Sequence, residues 1–258
     1  MDLGIADKSA LVTGAASKKG IGYAISLALA REGVNIAVAD IDFEGVESLA
    51  QAIKEMGRNA VAIKVNQGIY SEVKEGVSKI NQALGQIDIL VNCAAITSNM
   101  GTISKMQTSA WENEINVNLN GPYYWMRELM PSMAKRRWGR VINISSTGGI
   151  IGSMGLPSYC TSKGGLIALT KETALETASR GVTVNTLALG IIKTGIYERG
   201  TMDATILDSI TKRIPLGRMG EPGEVADVAV FLASENARYI TGSTLIVDGA
   251  HSLNAFLP

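Results

Sequence analysis

The chain has 258 residues, 46% of them hydrophobic, and its 24 basic and 24 acidic side chains cancel to a formal net charge of zero. That length suits one α/β domain with a large core, and the balance excludes a global basic field for nucleic acid or anionic membrane. A single histidine, His251, and two separated cysteines, Cys93 and Cys160, exclude a His/Cys metal cluster and an ordinary histidine-based hydrolase, so an enzyme here must move protons with Tyr, Lys or a carboxylate.

No apolar run is long enough to span a bilayer, and MDLGIADKSA lacks a basic-then-apolar leader, so a soluble, cytoplasmic protein is expected. The first strand, ALVT (10–13), runs into GAASKKGIG. There Gly14, Gly20 and Gly22 permit a tight turn and bring backbone N–H groups close to a pyrophosphate, at the start of a helix beginning near Ile21. The second strand, NIAVAD (35–40), ends on Asp40, placed to accept the ribose hydroxyls of adenosine. A carboxylate there repels the 2′-phosphate of NADP, whereas Lys18 and Lys19 in the loop argue the other way, because a basic residue can pair with that phosphate. Asp40 is weighted more heavily because a strand end fixes its position. NAD is therefore the expected coenzyme and NADP the lesser one, with the lysines read as a charged, exposed tip.

Further short runs follow at NAVAIKV (59–65), DILVNC (88–93), RVINIS (140–145), TVNTLA (183–188) and TLIVD (244–248). Most lack alternation, which predicts strands covered on both faces, and the stretches between them are long enough for crossover helices. The expected fold class is α/β: a single-domain Rossmann fold over residues 1–258, with a doubly wound seven-stranded parallel sheet and helices on both faces. GPYYWMRELMPSM (121–133) reads as a helix that packs into the core and against other subunits.

The chemistry concentrates in GRVINISSTGGIIGSMGLPSYCTSKGG, where Ser146 stands just past a strand end, with Tyr159 thirteen residues on and Lys163 four further. A helix from Pro157 onward puts Tyr159 and Lys163 on one face. A phenol of reference pKa near 10 is a poor acid at neutral pH; an ammonium about 4 Å away, at an effective dielectric of about 20, is worth about 4 kcal/mol, or on the order of three pKa units. Lysine thus makes tyrosine a usable acid and base, and Ser146 donates a hydrogen bond to a carbonyl oxygen as charge builds on it.

These motifs in combination resemble the short-chain dehydrogenase/reductase family over essentially the whole chain. The resemblance implies a catalytic set of Asn118, Ser146, Tyr159 and Lys163, with Asn118, in INVNLNG, bending its helix and holding a water that relays protons to Lys163. It implies a dinucleotide site drawn from Gly14, Ser17, Gly20, Ile21, Gly22, Asp40, Val65, Asn66, Asn92, Ala94, Tyr159, Lys163, Gly190, Ile192 and Thr194. Within it, Asn92 stabilises the sheet beside the nicotinamide, and Ile192 and Thr194 meet the carboxamide. Substrate-lining candidates are Ser146, Met154, Leu156 and Tyr159, joined by Tyr197 and Met202 on a mobile loop near 190–215. The segment from Gly217 to Ala250 is similar to family segments that commonly pack into homotetramers.

The chain departs from the family pattern in several places. Asn92-Cys93-Ala94-Ala95 replaces asparagine-asparagine-alanine-glycine, Leu189 replaces the proline before Gly190, Asn66 replaces an aspartate facing the adenine amine, and the glycine loop carries two extra residues. That longer loop resembles enoyl reductases of the same fold, but Leu156 stands seven residues before Lys163 where those enzymes need tyrosine, and the reading is rejected. The expected function is hydride transfer between NAD(H) and a small-molecule secondary alcohol or ketone, hydrophobic, cyclic or aromatic. One rival is an NADPH-dependent 3-oxoacyl thioester reductase, and another, of a different class, is a non-catalytic protein that senses NAD(H). Cys93 and Cys160 read as small buried thiols, and the end from His251 as a surface tail or interface cap.

Overall fold

The structure, a computed structural model, describes residues 2–97, 100–195, 208–209 and 211–253. Alternate side chains of the first strand, β1 (Ser9–Thr13), go to opposite faces: Ala10 and Val12 join the core on one side and Leu11 joins the core on the other. Both faces are dry, which is why such a strand reads as an unbroken apolar run. The same burial holds in β2 (Asn35–Asp40), β4 (Ile89–Asn92), β5 (Gly139–Ser146) and β6 (Val182–Leu189), while β3 (Ala60–Lys64) and β7 (Thr244–Val247) form the more exposed edges.

All seven strands are parallel, in the order β3-β2-β1-β4-β5-β6-β7. Helices α1 (Ile21–Arg31) and α2 (Phe43–Glu55) cover one face through Ile25, Leu29, Leu49 and Ile53, joined by α8 (Pro222–Ala233) through Val225 and Leu232. On the other face lie α3 (Tyr70–Leu84), α5 (Gly121–Arg136) and α7 (Pro157–Thr177), anchored by Ile80, Trp125, Leu129 and Ala174. Two short helices, α4 (Thr108–Ile115) and α6 (Gly148–Ile151), stand beside the carboxyl ends of the strands. Strand order reverses between β1 and β4, and the crevice opened there is where a doubly wound sheet takes a ligand. This is the expected Rossmann architecture. Strand ends differ from expectation by a residue or two, and one difference matters: β5 runs through Ser146, which pairs with Leu189 of β6 as the last residue of the strand rather than lying beyond it.

At the opposite, amino-terminal end of the sheet, Trp138 has two cations over its ring system, Lys8 Nζ at 4.2 Å and Arg140 Cζ at 4.5 Å to the centroid. Glu235 accepts from both Trp138 Nε1 and Arg140, and the buried guanidinium also donates to the carbonyl oxygens of Ser234 and Gly139. Among the described residues no helix is long and apolar enough to cross a membrane.

Candidate active site

Where β1 ends, the Thr13 hydroxyl accepts hydrogen bonds from the N–H groups of Cys93 and Ala94, each at 3.1 Å, tying β1 to β4 at the mouth of the crevice. Gly14 follows at φ +68°, and a Cβ there would lie 2.5 Å from the Ala94 Cα; one at Gly22 would lie 2.5 Å from the Gly14 carbonyl oxygen. Neither approach tolerates a side chain. Helix α1 begins after Gly20 with no side-chain cap and no acidic residue in its first turn, so its N–H groups and positive dipole end are offered to an anion. A backbone cradle of this kind fits the pyrophosphate of a dinucleotide.

The remaining loop and strand-end candidates surround that cradle. Ser17, Lys18 and Lys19 are exposed and Ile21 is half-buried, with Gly20 N donating to the Ser17 carbonyl at 2.7 Å. Asp40 does not wait at its strand end as a free acceptor. One carboxylate oxygen accepts from Ala16 N at 3.1 Å and the other from Asp42 N at 3.2 Å, so it closes the glycine loop onto β2. Val65 is buried beside it and donates to the Asp40 carbonyl at 2.9 Å. Asn66 Oδ1 accepts from Gly68 N at 3.0 Å. Asn92 Nδ2 donates to Asn143 Oδ1 at 2.8 Å, and Asn143 passes the chain on to Thr170 at 2.8 Å, a buried polar seam from β4 through β5 to α7. Beyond β6, a Cβ on Gly190 would meet Asp248 Cβ at 2.6 Å, Ile192 is buried in a bridge to Gly220, and Thr194 is half-buried.

The proton-handling candidates come from three adjoining elements. Pro157 occupies the first turn of α7, where its missing N–H costs nothing, and the helix presents Tyr159 and Lys163 one turn apart. Lys163 Nζ lies 5.7 Å from the Tyr159 ring centroid and donates to the Ile144 carbonyl at 2.8 Å. Burial of the amine draws its pKa down from 10.5 to about 8, with the neighbouring Cys93 working in the opposite direction. Asn118 lies in a π-helical turn, Asn116–Asn120, and its amide closes a two-way pairing with Ile96, accepting from its N–H and donating to its carbonyl, both at 2.8 Å. The same amide donates to Ser162 Oγ at 3.3 Å, and Ser162 donates to the Tyr159 carbonyl at 2.8 Å. Ser146 Oγ accepts from Gly148 N at 3.1 Å. A methyl group on Gly148 would sit 3.4 Å from both Ser146 Oγ and Cys160 Sγ, which places the first turn of α7 beside the end of β5.

Of the substrate-lining candidates, Leu156 is half-buried as the N-cap of α7, whereas Met154 is 98% exposed, on the rim rather than in a wall. Tyr197, Met202 and half of the 190–215 loop lie outside the described residues. The cysteines are half-buried rather than buried; burial pushes the Cys93 thiol up to about 12, with Lys163 acting against the shift. Sequence reasoning did not find Thr13, Gln67, Glu114, Ser158 or Ser162. Gln67, 5% exposed, donates to the Ala94 and Val117 carbonyls at 3.2 and 2.8 Å and so joins β4 to the π-helical turn. Only Thr13 ends an apolar run; the others stand in polar or small-residue stretches, with partners dozens of residues away that the sequence does not bring together. Among the described residues no cluster of His, Cys, Asp and Glu is arranged to hold a metal ion.

The chain is similar over nearly its whole length to proteins that are already known. A family model described as enoyl-(acyl carrier protein) reductase matches residues 14–251. A 3-oxoacyl-(acyl-carrier-protein) reductase from Staphylococcus epidermidis is 39% identical over 247 residues, covering 94% of this chain and 98% of its own length. The protein of the same name from Thermotoga maritima is 39% identical over 242 residues, covering 94% and 96%. A crystal structure from Agrobacterium tumefaciens, described as a gluconate dehydrogenase candidate, superposes with a TM-score of 0.92 at 27% identity over 100% of both chains.

These relatives correct the expectation on coenzyme. They carry the name of the activity that the sequence reading paired with NADPH, and the preference for NAD over NADP drawn from Asp40 does not stand. The physical reason lies in the loop: both Asp40 oxygens accept from backbone N–H groups, so the side chain is held to the turn that it closes, a role its place at a strand end did not reveal.

Proposed function

The chain belongs to the short-chain dehydrogenase/reductase family and is an oxidoreductase, and from that premise we propose that it reduces the 3-oxo group of an acyl thioester at the expense of NADPH. The observation that carries the proposal is the near full-length 39% identity to 3-oxoacyl-(acyl-carrier-protein) reductases, combined with a tyrosine and lysine one helical turn apart at the crevice. Leu156, seven residues before Lys163, argues against reduction of a carbon-carbon double bond. The bound coenzyme would supply hydride to the carbonyl carbon. Ser146, at the end of β5, donates a hydrogen bond to the carbonyl oxygen as negative charge grows on it. Tyr159 then gives that oxygen its proton, and the Lys163 ammonium stabilises the phenolate left behind. Asn118 braces the first turn of α7 through Ser162 and lies on the route by which water returns a proton to Lys163. A homotetramer belongs to the same proposal, supported by a groove of about 450 Å³ between α5 and α7 that Met126, Met130 and Leu169 help to line.

A second reading, oxidation of a secondary alcohol, draws its support from the structural likeness to the Agrobacterium protein. Following nicotinamide absorbance with an acetoacetyl thioester separates the two. Turnover at least tenfold faster with NADPH than with NADH supports the proposal. No reduction of the thioester, with oxidation of simple alcohols intact, overturns it.

A further inference from the structure

Helix α4 has one buried residue, and it is a carboxylate: Glu114 is 1% exposed. Its Oε2 accepts from the hydroxyl of Ser158, itself fully buried, at 2.5 Å. A carboxylate withdrawn from water is costly unless donors compensate it, so its place under a helix where an apolar anchor would serve for packing calls for another role. Ser158 is the second residue of α7, a helix of 21 residues whose own N-cap, Leu156, contributes no side-chain cap. The acidic group therefore reaches the positive end of α7 from a neighbouring helix, where an anion is favourable.

A second rung lies one turn further along both segments. Four residues after Glu114 comes Asn118, four after Ser158 comes Ser162, and Asn118 Nδ2 donates to Ser162 Oγ at 3.3 Å. The two rungs, Glu114–Ser158 and Asn118–Ser162, fix α7 against the α4 segment in both rotation and axial position. Tyr159 and Lys163 are the next residues after the two serines, and Ser162 also donates to the Tyr159 carbonyl at 2.8 Å. A small rotation of the first turn of α7 would carry the phenol sideways while leaving the coenzyme cradle of β1 and α1 untouched.

We infer that Glu114 is a positioning residue for the proton-donating tyrosine, acting through Ser158 to hold the first turn of α7. This rests on the reading of Tyr159 as the proton donor in carbonyl reduction. The test compares Glu114→Gln, Ser158→Ala and the double variant with the unaltered protein, using an acetoacetyl thioester and NADPH. The expected result is a kcat at least tenfold lower in each single variant, KM and the coenzyme Kd within twofold, and a double variant no more than twofold below the worse single one. Ser158→Thr, which keeps the hydroxyl, should recover at least half of the loss. A kcat within twofold of the unaltered protein, a loss carried by KM, or losses that multiply in the double variant would overturn the inference. Should the Glu114 variant not fold, Ser158→Ala carries the same expectations alone. If the unaltered protein reduces no thioester, the proposed function has failed and the rung is read separately, by deuterium exchange. Faster exchange over residues 158–162 in Glu114→Gln, with α1 unchanged, keeps the rung; unchanged exchange removes it.

Discussion

Lys163 holds its ammonium nitrogen 5.7 Å from the centre of the Tyr159 ring while donating to the Ile144 carbonyl at 2.8 Å. The amine is thus held by the backbone of β5 and faces the phenol from a fixed position. Replacing Tyr159 with Phe removes the proton donor and leaves the ring's bulk. Turnover should fall at least a thousandfold, on the order of the contribution of a positioned acid and base, while NADPH binding followed by nucleotide fluorescence stays within threefold.

Burial of Lys163 makes stability depend on pH in a defined direction. Its pKa is lowered to about 8 from 10.5. Below that range both folded and unfolded chains carry the proton, and the folded state bears the cost of a buried charge. As pH rises through about 8 the folded state releases the proton while the unfolded state keeps it until about 10.5, so this residue's contribution to stability increases with pH. Urea unfolding of the ligand-free protein and of Lys163→Met should show the unaltered protein gaining about 2 kcal/mol relative to the variant between pH 7.5 and 9.5. A difference independent of pH would refute it.

Gly22 leaves no room for a side chain in the coenzyme cradle, since a Cβ there would lie 2.5 Å from the Gly14 carbonyl oxygen and 3.1 Å from that of Thr13. Gly22→Ala should push α1 away from β1 and weaken NADPH binding at least tenfold by calorimetric titration. Gly57→Ala serves as a control: nothing lies within 4 Å of its Cβ position, but its φ of +82° predicts a loss of stability, about 1 kcal/mol, without a loss of binding.

At the far end of the sheet, Arg140 is 2% exposed and burial lowers its pKa, with Glu235 opposing the shift. Glu235→Ala takes away the carboxylate shared by Arg140 and Trp138 but leaves the guanidinium its carbonyl partners. Denaturant unfolding should show a loss of about 2 kcal/mol with kcat unchanged, because the cluster lies across the sheet from the crevice. An altered kcat would show coupling through the sheet.

How much of this was legible in the sequence follows from which residues interact. Ala10, Leu11 and Val12 revealed a strand covered on both sides because burial on both faces leaves no room for a polar alternate. Pro157, Tyr159 and Lys163 revealed α7 because a helix start and an i, i+4 face are local properties. Asp40 misled for the opposite reason: its position at a strand end was readable, but the N–H groups of Ala16 and Asp42 that occupy it depend on how the loop folds back. Glu114 was invisible, since a glutamate in a short helix reads as a solvated side chain until Ser158, 44 residues away, is brought against it.

The catalytic candidates lean heavily on main-chain atoms: Lys163 on the Ile144 carbonyl, Asn118 on both polar atoms of Ile96, Ser146 on the Gly148 amide. Every amino acid supplies a carbonyl, and every one but proline an amide, so Ile96 and Ile144 can be exchanged for other side chains without withdrawing either partner. Machinery anchored in this manner leaves its surroundings open to redesign, and a new substrate preference can be grafted beside it one neighbour at a time.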